Sequence, residues 1–378
     1  MKILYNSKYI QIIFSFRDSS SHFSVWRSQP MTLKEIAEQA NVSISTVSRV
    51  INQKKPGAAS AEVSERIWEI VRKSGYIPNR TAQNLKMGVT NEAQHIEPKT
   101  IAIIYARTDS LSTDFFFSHI AKAMEQELFK SNYYLKYSFT SLDFSNAQTA
   151  AQIASLSVDG VVVLGRYEKT LFKYLSEQHS NVMYVGLNPI DFKFDQVICC
   201  GGEIAKTAVN YLYSLGHTKI GYIGAQQNEI RYKGYKRALE KLDLPFRQRN
   251  AVNVRQTADG GYKAANMLMD MGSDISAVFC ANDNTAIGAM RAFQERGYRI
   301  PQDISIIGVD DIETDQYLTP MLTSIHIPLE GLGKCASKIL IDRLNGGHSF
   351  PMKTILPFYI AKRDSCASPS KDRKPFGT

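Results

Sequence analysis

Small hydroxyl side chains are concentrated in the segment "ANVSISTVSRVINQ", residues 40–53, together with a single arginine. At helical spacing its apolar residues, Ala40, Val42, Val47, Val50 and Ile51, face inward together. The side chains left on the outer face are Ser43, Ile44, Ser45, Ser48 and Arg49. Hydroxyls both donate and accept hydrogen bonds, and an arginine pairs with guanine edges or with phosphate. The outer face is therefore suited to lie in the major groove of DNA.

The residues around this segment predict two further helices. Thr32 and Glu35 form a capping-box pattern at the start of a first helix, which runs to about Gln39. Asn41 tolerates the left-handed conformation of a tight turn, and Ser43 can cap the helix that follows. A third helix is expected over residues 61–74, so residues 31–77 form a three-helix head containing a helix-turn-helix. A generic helical bundle is the alternative, because such patterns alone give many false matches.

The net charge of +9 is located at the ends of the chain. Residues 31–90 hold nine Lys/Arg against five Asp/Glu, whereas residues 91–361 hold 27 against 28. This distribution indicates a polyanion-binding head attached to a neutral body.

From residue 99 onward, apolar strands alternate with segments of helical period, in two successive series. The strand segments are "TIAIIYA", "YYLKYSF", "DGVVVLG", "VMYVG", "KIGYIG", "AVNV", "SAVFC" and "DISIIGVD". This alternation predicts an α/β body of two lobes with parallel sheets, and a ligand site at the carboxyl ends of the strands. The later segments "LTSIHIP" and "KTILPFYI" are expected to cross between the lobes.

Several classes of protein are disfavoured. The five cysteines include no CxxC spacing and the histidines show no metal spacing, so we expect reduced thiols, no metal, no cofactor and a cytoplasmic location. No apolar run approaches the roughly 20 residues of a membrane span. Dinucleotide, P-loop, GxSxG and HExxH motifs are absent, which disfavours an enzyme. Residues 1–30 lack helix caps and sustained period, so they are interpreted as a disordered leader or a misassigned start, with Met31 as the natural first residue.

Two groups of motifs resemble the lactose-repressor/galactose-repressor (LacI/GalR) family of bacterial transcription regulators. "MTLKEIAEQANVSISTVSRVINQ" and "GYIPNRTAQNLK" resemble its head and hinge. "SLGHTKIGYIG", "RYKGYKRAL", "FCANDNTAIGAMRAFQERGYRIPQDISIIGVDD" and "LTSI" resemble its effector-binding core, itself similar to periplasmic sugar-binding proteins. The resemblance implies a head at 31–77, a hinge helix and linker at 78–98, a two-lobed core at 99–364 and a flexible tail at 365–378. Asn41, where Gly is common in the family, and the longer basic loop "KKPGAAS" are departures.

The resemblance and the chemistry of the face together assign the DNA contacts. Ile44, Ser45 and Arg49 are the candidates for base contact, while Ser43, Thr46 and Ser48 are expected to bind phosphate or cap the helix. In the hinge, the resemblance implies a close helix contact at Ala82 and an apolar wedge in the minor groove at Leu85. The other residues assigned to DNA are Thr32, Asn52, Tyr76, Asn79 and Arg80.

The resemblance also implies effector-binding residues. Arg231, Asn282 and Asp310 match the family's ligand-binding Arg, Asn and Asp, although Arg231 could be a surface cation and Asn282 a helix cap. An acid in "GVDD" needs a partner if it is buried. From the first lobe we add Phe116, Arg166 and Asn188, with packing as the alternative for Phe116. The lactose repressor carries an acid where Gly186 stands and an amide where Ile327 stands, so the effector need not be the same sugar.

The expected function is a repressor of a carbohydrate operon that binds a palindromic operator as a homodimer and is released by a sugar. Residues 52–67 resemble in length the corresponding part of the head of galactosidase-operon repressors, and this resemblance favours a galactoside. The tail has no apolar heptad, so a coiled-coil tetramer is not expected. The alternatives are a catabolite regulator that needs a corepressor, a sugar-binding protein without DNA function and an α/β enzyme.

Overall fold

The structure is a computed structural model that describes residues 31–51, 59–74, 76, 98–106, 115–140, 146–154, 156–165, 169–191 and 193–376 of the 378-residue chain. The chain divides into two compact units, residues 1–95 and 96–378. The division falls inside the segment 78–98 that is expected to link the head to the body.

The head contains three helices, α1 (Leu33–Ala40), α2 (Ile44–Ile51) and α3 (Ala61–Ser74). Ile36, Val47 and Ile67, one from each helix, are fully buried and form the centre of its core. Asn41 ends α1 with a φ of 52°, the left-handed conformation that makes the turn tight. The helix-turn-helix prediction is therefore confirmed, and the bounds of the helices agree with it to within a residue.

The first lobe of the body is built on a six-stranded parallel sheet in the order β11-β5-β4-β3-β1-β2. Its strands are β1 (Lys99–Tyr105), β2 (Tyr133–Thr140), β3 (Gly160–Leu164), β4 (Val182–Gly186), β5 (Asp195–Ile198) and β11 (Lys353–Ile355). The intervening helices are α4 (Phe115–Lys130), α5 (Ala147–Ala154) and α6 (Lys169–Gln178). Every residue of β3, β4 and β5 is buried, as expected for central strands covered on both faces.

The second lobe has a matching sheet in the order β12-β10-β9-β8-β6-β7, in which only β12 runs antiparallel to its neighbour. Its strands are β6 (Ile220–Gly224), β7 (Ala251–Asn253), β8 (Ala277–Cys280), β9 (Ser305–Asp310), β10 (Thr323–His326) and β12 (Tyr359–Ala361). Its helices are α7 (Gly201–Ser214), α8 (Ile230–Lys241), α9 (Ala258–Asp270) and α10 (Asp283–Glu295). Short 3-10 helices lie at Gln248–Asn250 and Glu313–Tyr317.

The chain passes between the lobes three times, at 199–200, 327–328 and 356–358. After the second passage, α11 (Leu329–Leu344) packs against α4 and against β4 and β5 of the first lobe. β11 then joins the first sheet beside β5, and β12 returns to the second sheet beside β10. The prediction that the late apolar segments cross between the lobes is confirmed.

The last residues correct one expectation. Residues 365–376, predicted to be flexible, pack along the second lobe. Arg373 donates from Nη2 to the carbonyl oxygen of Asp274 at 3.0 Å. Phe376 stacks on Phe293, with ring centroids 5.6 Å apart, and meets the ring of Tyr298 edge-on at 4.9 Å. This packing could not be predicted, because the tail has no periodicity and its partners are backbone carbonyls and rings that are distant in the chain.

Candidate DNA-binding face and effector site

The outer face of α2 is exposed to solvent, whereas its inner face is buried in the core of the head. Val47, Val50 and Ile51 are buried on one side of the helix, whereas Ser45 and Arg49, which project from the other side, are exposed. Ile44, in the first turn at the margin of the buried side, is 43% exposed. The structure thus brings the three predicted base-contacting residues onto one surface.

The hydroxyls at the start of α2 are linked to one another. The Oγ of Ser43 accepts a hydrogen bond from the backbone N of Thr46 at 3.1 Å, which is the predicted capping contact. It also lies 2.7 Å from the Oγ of Ser45 and 2.9 Å from the Oγ1 of Thr46. Arg49 donates from Nε to the carbonyl oxygen of Ser45 at 3.3 Å, so the backbone of α2 orients the guanidinium.

Two further predicted DNA residues have structural contacts within the head. Thr32 forms the capping box: its backbone N donates to Oε2 of Glu35 at 2.6 Å, and its hydroxyl donates to the same oxygen at 2.9 Å. The hydrogen bond from the Thr32 backbone lowers the pKa of the Glu35 carboxyl. Tyr76 is half-buried against the core of the head. Ser48 is half-buried in α2, and the other predicted DNA residues lie outside the described residues: Asn52, Asn79, Arg80, Ala82 and Leu85.

In the second lobe, Arg231 lies in the first turn of α8 and is only 3% exposed, so it is not a surface cation. Its Nε donates to Oε1 of Glu229 at 2.8 Å and its Nη2 donates to Oε2 of Glu229 at 3.1 Å. Nη2 also donates to Oε1 of Gln256 at 3.2 Å, and Nη1 donates to the carbonyl oxygen of Ala281 at 2.6 Å. The guanidinium is therefore fixed by three neighbouring segments of the lobe.

Asn282 is the N-cap of α10, the role that the sequence offered as its alternative. Its Oδ1 accepts from the backbone N of Thr285 at 3.1 Å and from the hydroxyl of Thr285 at 2.5 Å. Its Nδ2 donates to the carbonyl oxygen of Gln256 at 3.3 Å. The cap therefore fixes the amide in the loop between β8 and α10, directly after Ala281.

Asp310 ends β9 in a strained backbone conformation. It is 8% exposed and has a φ of 118°, and Asp311 follows with a φ of 58°. Non-glycine residues rarely adopt such values, and they cluster at sites where the surrounding structure holds them in place. Here Arg363 donates to Asp311 from Nη2 at 2.6 Å and the Nδ1 of His326 lies 2.9 Å from the same carboxylate. The contacts of Asp311 thus hold the turn that places Asp310.

These three effector-site predictions converge at one edge of the second sheet. Arg231, Asn282 and Asp310 follow or end β6, β8 and β9, which are adjacent strands, so their carboxyl ends lie side by side. Burial opposes the charged form of Arg231, but the charge and hydrogen bonds of Glu229, with a smaller contribution from the charge of Asp310, raise its pKa overall. Arg231 and Asn282 are thus joined through Gln256, and Asp310 lies close enough for its charge to act on Arg231.

The first lobe contains the other three predicted effector-binding residues, Asn188, Phe116 and Arg166. Asn188 is half-buried just after β4, and the carbonyl oxygen of its neighbour Leu187 accepts from the backbone N of Gly201 at 2.8 Å. A methyl group on Gly201 would lie 3.4 Å from Cγ of Arg231, so this loop runs beside α8. Phe116 is half-buried in α4 and packs edge-on against Phe117 at 5.0 Å, which fits the packing alternative. Arg166 lies outside the described residues.

The two departures from the lactose-repressor pattern occupy closely packed positions. Tyr184 donates from its hydroxyl to the carbonyl oxygen of Gly165 at 2.9 Å, and a methyl group on Gly186 would lie 2.4 Å from that hydroxyl. Ile327 is 1% exposed, in the apolar core. A larger or polar side chain at either position would need its surroundings to change.

Sequence reasoning missed Glu229 and Gln256, both of which hold Arg231. Glu229 is 2% exposed and caps α8 by accepting from the backbone N of Arg231 at 3.2 Å. Nε2 of Gln256 donates to Oε2 of Glu229 at 3.3 Å. The available signal was an acid immediately before the "RYKGY" helix, since a buried arginine requires a compensating charge.

Other kinds of site find no support in the part of the chain that the structure describes. It contains no group of three His, Cys, Asp or Glu side chains arranged to hold a metal ion. None of its helices is long and apolar enough to cross a membrane.

Comparison with known proteins identifies the same two parts. Residues 32–79 match the model for bacterial regulatory proteins of the lacI family, and residues 209–366 match a periplasmic binding protein-like domain. The HTH-type transcriptional repressor PurR of Yersinia pestis bv. Antiqua (strain Antiqua) is 31% identical over 352 residues, which cover 90% of this chain and 98% of the relative.

Two solved structures are also similar. The complex of the transcriptional regulator CelR with cellobiose has a TM-score of 0.66 at 24% identity and covers 89% of this chain and 99% of its own. A LacI family transcriptional regulator from Enterococcus faecium with bound ribose has a TM-score of 0.61 at 27% identity and covers 71% and 99%. The chain belongs to the LacI family of bacterial regulatory proteins and is a ligand-responsive transcriptional repressor, with a helix-turn-helix head and a two-lobed periplasmic-binding-protein-like core, rather than an enzyme.

Proposed function

We propose that the protein represses a carbohydrate-utilisation operon in the cytoplasm, binding a palindromic operator as a homodimer and leaving it when a sugar binds between the lobes. The exposed face of α2 carries the DNA half of the proposal, because Ile44, Ser45 and Arg49 project outward from a helix whose other side is buried. The hinge contacts proposed for Ala82 and Leu85 would add contacts in the minor groove of the operator.

The effector half depends on Arg231, Asn282 and Asp310. Planar hydrogen-bonding groups at the edge of a sheet suit the hydroxyls of a sugar. The bound ribose of the Enterococcus faecium relative supports a sugar as the class of effector. A galactoside remains our first choice among sugars, with Asn188 and Arg166 as the proposed contacts from the first lobe.

DNA selected from random duplexes, titrated by fluorescence anisotropy at one near-physiological salt concentration, tests the DNA half. Arg49→Ala should weaken binding by about 1–3 kcal/mol and relax the preference at one base pair. Arg72→Ala is the matched control, because Arg72 lies on α3 with its side chain 65% exposed. A folded protein without sequence-selective binding would contradict the proposal, and equal losses on all sequences would assign Arg49 to phosphate.

Release by effectors is tested on the selected operator with a panel of galactosides, glucosides, pentoses and purine bases. We expect one sugar to release the DNA, and Arg231→Ala to abolish that release while DNA binding persists. Release by a purine base instead would exclude the sugar. Tighter DNA binding with a sugar would make the effector a corepressor. Analytical ultracentrifugation checks the homodimer, and a monomer on the operator would contradict it.

A further inference from the structure

Most N–H groups of the Arg231 guanidinium donate hydrogen bonds to acceptors within the protein. An arginine side chain carries five N–H groups, and four of these are directed at Glu229, Gln256 and the carbonyl of Ala281. Among the described residues, the acceptors account for all but one N–H of Nη1. The two-pronged face that arginines present to carboxylates and phosphates is already occupied by Glu229.

The positive charge is matched as well as the hydrogen bonds. Both side chains of the pair are buried, at 4% exposure for Arg231 and 2% for Glu229. Despite its burial, the pKa of Arg231 is held above its ordinary value, chiefly by the charge and hydrogen bonds of Glu229, so the guanidinium stays ionised. A buried ion pair of this kind offers a ligand no excess positive charge.

An anionic ligand group would therefore enter an unfavourable field. It would lie beside the carboxylate of Glu229 and near Asp310, whose charge already acts on Arg231. Two negative charges that lie side by side repel each other strongly where little water is present to screen them. A neutral hydroxyl meets no such penalty, since its oxygen can accept from the remaining N–H groups of Arg231 or Asn282 and its proton can be donated to Asp310.

We propose that this site selects an uncharged, polyhydroxylated effector and rejects sugar acids and sugar phosphates, and that Glu229 is the positioning residue that sets this choice. The inference rests on the effector site of the proposed function and names its ligand class. Glu229 acts through Arg231, by fixing its geometry and neutralising its charge.

Isothermal titration calorimetry on the full-length chain tests the choice with matched pairs: galactose and galacturonate, glucose and glucose 6-phosphate, and lactose and lactobionate. For the wild type we expect the neutral member of the bound pair to bind at least about tenfold more tightly than its acid. Tighter binding of an acid, or no binding by any neutral compound, would overturn the inference without need of a variant.

Glu229→Gln keeps the shape and one acceptor but removes the charge, so the ratio of acid to neutral affinity should rise by about tenfold. Glu229→Asp keeps the charge and should keep the rejection of acids. Glu240→Gln, an exposed change on the same helix, is the control and should leave the ratio unchanged. If Glu229→Gln weakens both members equally, the role of Glu229 is purely structural and the assignment fails.

Operator binding by the same preparation separates the two proposals. Release of the operator by an acidic sugar would keep the regulator and refute the neutral-ligand inference. Release by a purine base alone would refute both the sugar effector and this inference. Release by a neutral sugar, with the acid ineffective, is the outcome that both proposals expect.

Discussion

The carboxylate of Asp195 holds α11 and β11, the two elements that precede the third passage between the lobes, against β5. Asp195 begins β5 and is fully buried. It accepts from Nε and Nη2 of Arg343, the latter at 2.8 Å, and from the backbone N of Met352 at 2.8 Å. The Nε2 of His348 lies 3.1 Å away. Because Arg343 is in the last turn of α11 and Met352 precedes β11, one side chain ties both elements to β5.

Replacing Asp195 by Asn should destabilise the body by about 3 kcal/mol. Breaking a buried ion pair by removing one partner costs about 3–5 kcal/mol, because the other charge is left uncompensated. The side chain of Arg343 is 13% exposed and also donates to the carbonyl oxygen of Phe350 at 2.9 Å, so part of its charge remains solvated and the loss falls at the low end. The new amide would also point N–H groups at donors, which adds to the loss.

Urea unfolding followed by circular dichroism measures this change. Tryptophan fluorescence would not report on it, because the two tryptophans, Trp26 and Trp68, lie outside the body. The matched control is Asp270→Asn, since Asp270 pairs with Arg296 at 2.5 Å and is 63% exposed; its loss should stay below about 1 kcal/mol. Equal losses for the two variants would refute the reasoning, because burial would then have no bearing on the value of the pair.

Three further changes test other parts of the structure. A methyl group on Gly288 would lie 1.8 Å from the carbonyl oxygen of Ala258, so Gly288→Ala should force α9 and α10 apart and cost about 1–3 kcal/mol in a urea titration. Thr32→Ala should cost the head about 1 kcal/mol, read by the fluorescence of its tryptophan. The hydrogen bond with Asp342, and to a smaller extent Asp195, raises the pKa of His348 in the folded protein. The stabilisation that the charged His348 contributes is therefore complete below about pH 6.5, the unfolded pKa, and is lost as the pH rises through the higher folded pKa. His348→Gln should reduce this dependence of the unfolding free energy on pH in urea titrations across about pH 5–9.

The head was predictable from the sequence because its signals are local. The capping box at Thr32, the left-handed turn at Asn41 and the helical period of α2 each involve residues within one or two turns. Local interactions of this kind decide where short helices begin and end. The exposed face of α2 follows directly, since burial of Val47, Val50 and Ile51 on one side leaves Ser45 and Arg49 on the other.

The body was predictable in its class and less so in its detail. Alternation of strands and helices indicates parallel sheets and places ligand contacts at strand ends, where Arg231 and Asp310 lie. It does not reveal that Glu229 and Gln256 join Arg231, because Gln256 is 27 positions from Glu229 and their meeting depends on the packing of separate loops. The order of the strands is hidden for the same reason, since it is set by pairing between distant segments.

The distribution of polar groups between the lobes bears on how an effector could change DNA binding. The network of Arg231, Asn282 and Gln256 belongs to the second lobe and is already bonded within it. A ligand that touched this network alone would bind equally well whatever the position of the first lobe, and a ligand without differential affinity shifts no equilibrium. Because the lobes are joined by three short passages, we expect any relative motion between them to be a rotation about those passages. Contacts from the first lobe, such as the one proposed for Asn188, are therefore where we expect coupling to DNA to arise, whereas Arg231 is proposed to set how tightly and how selectively the effector is held.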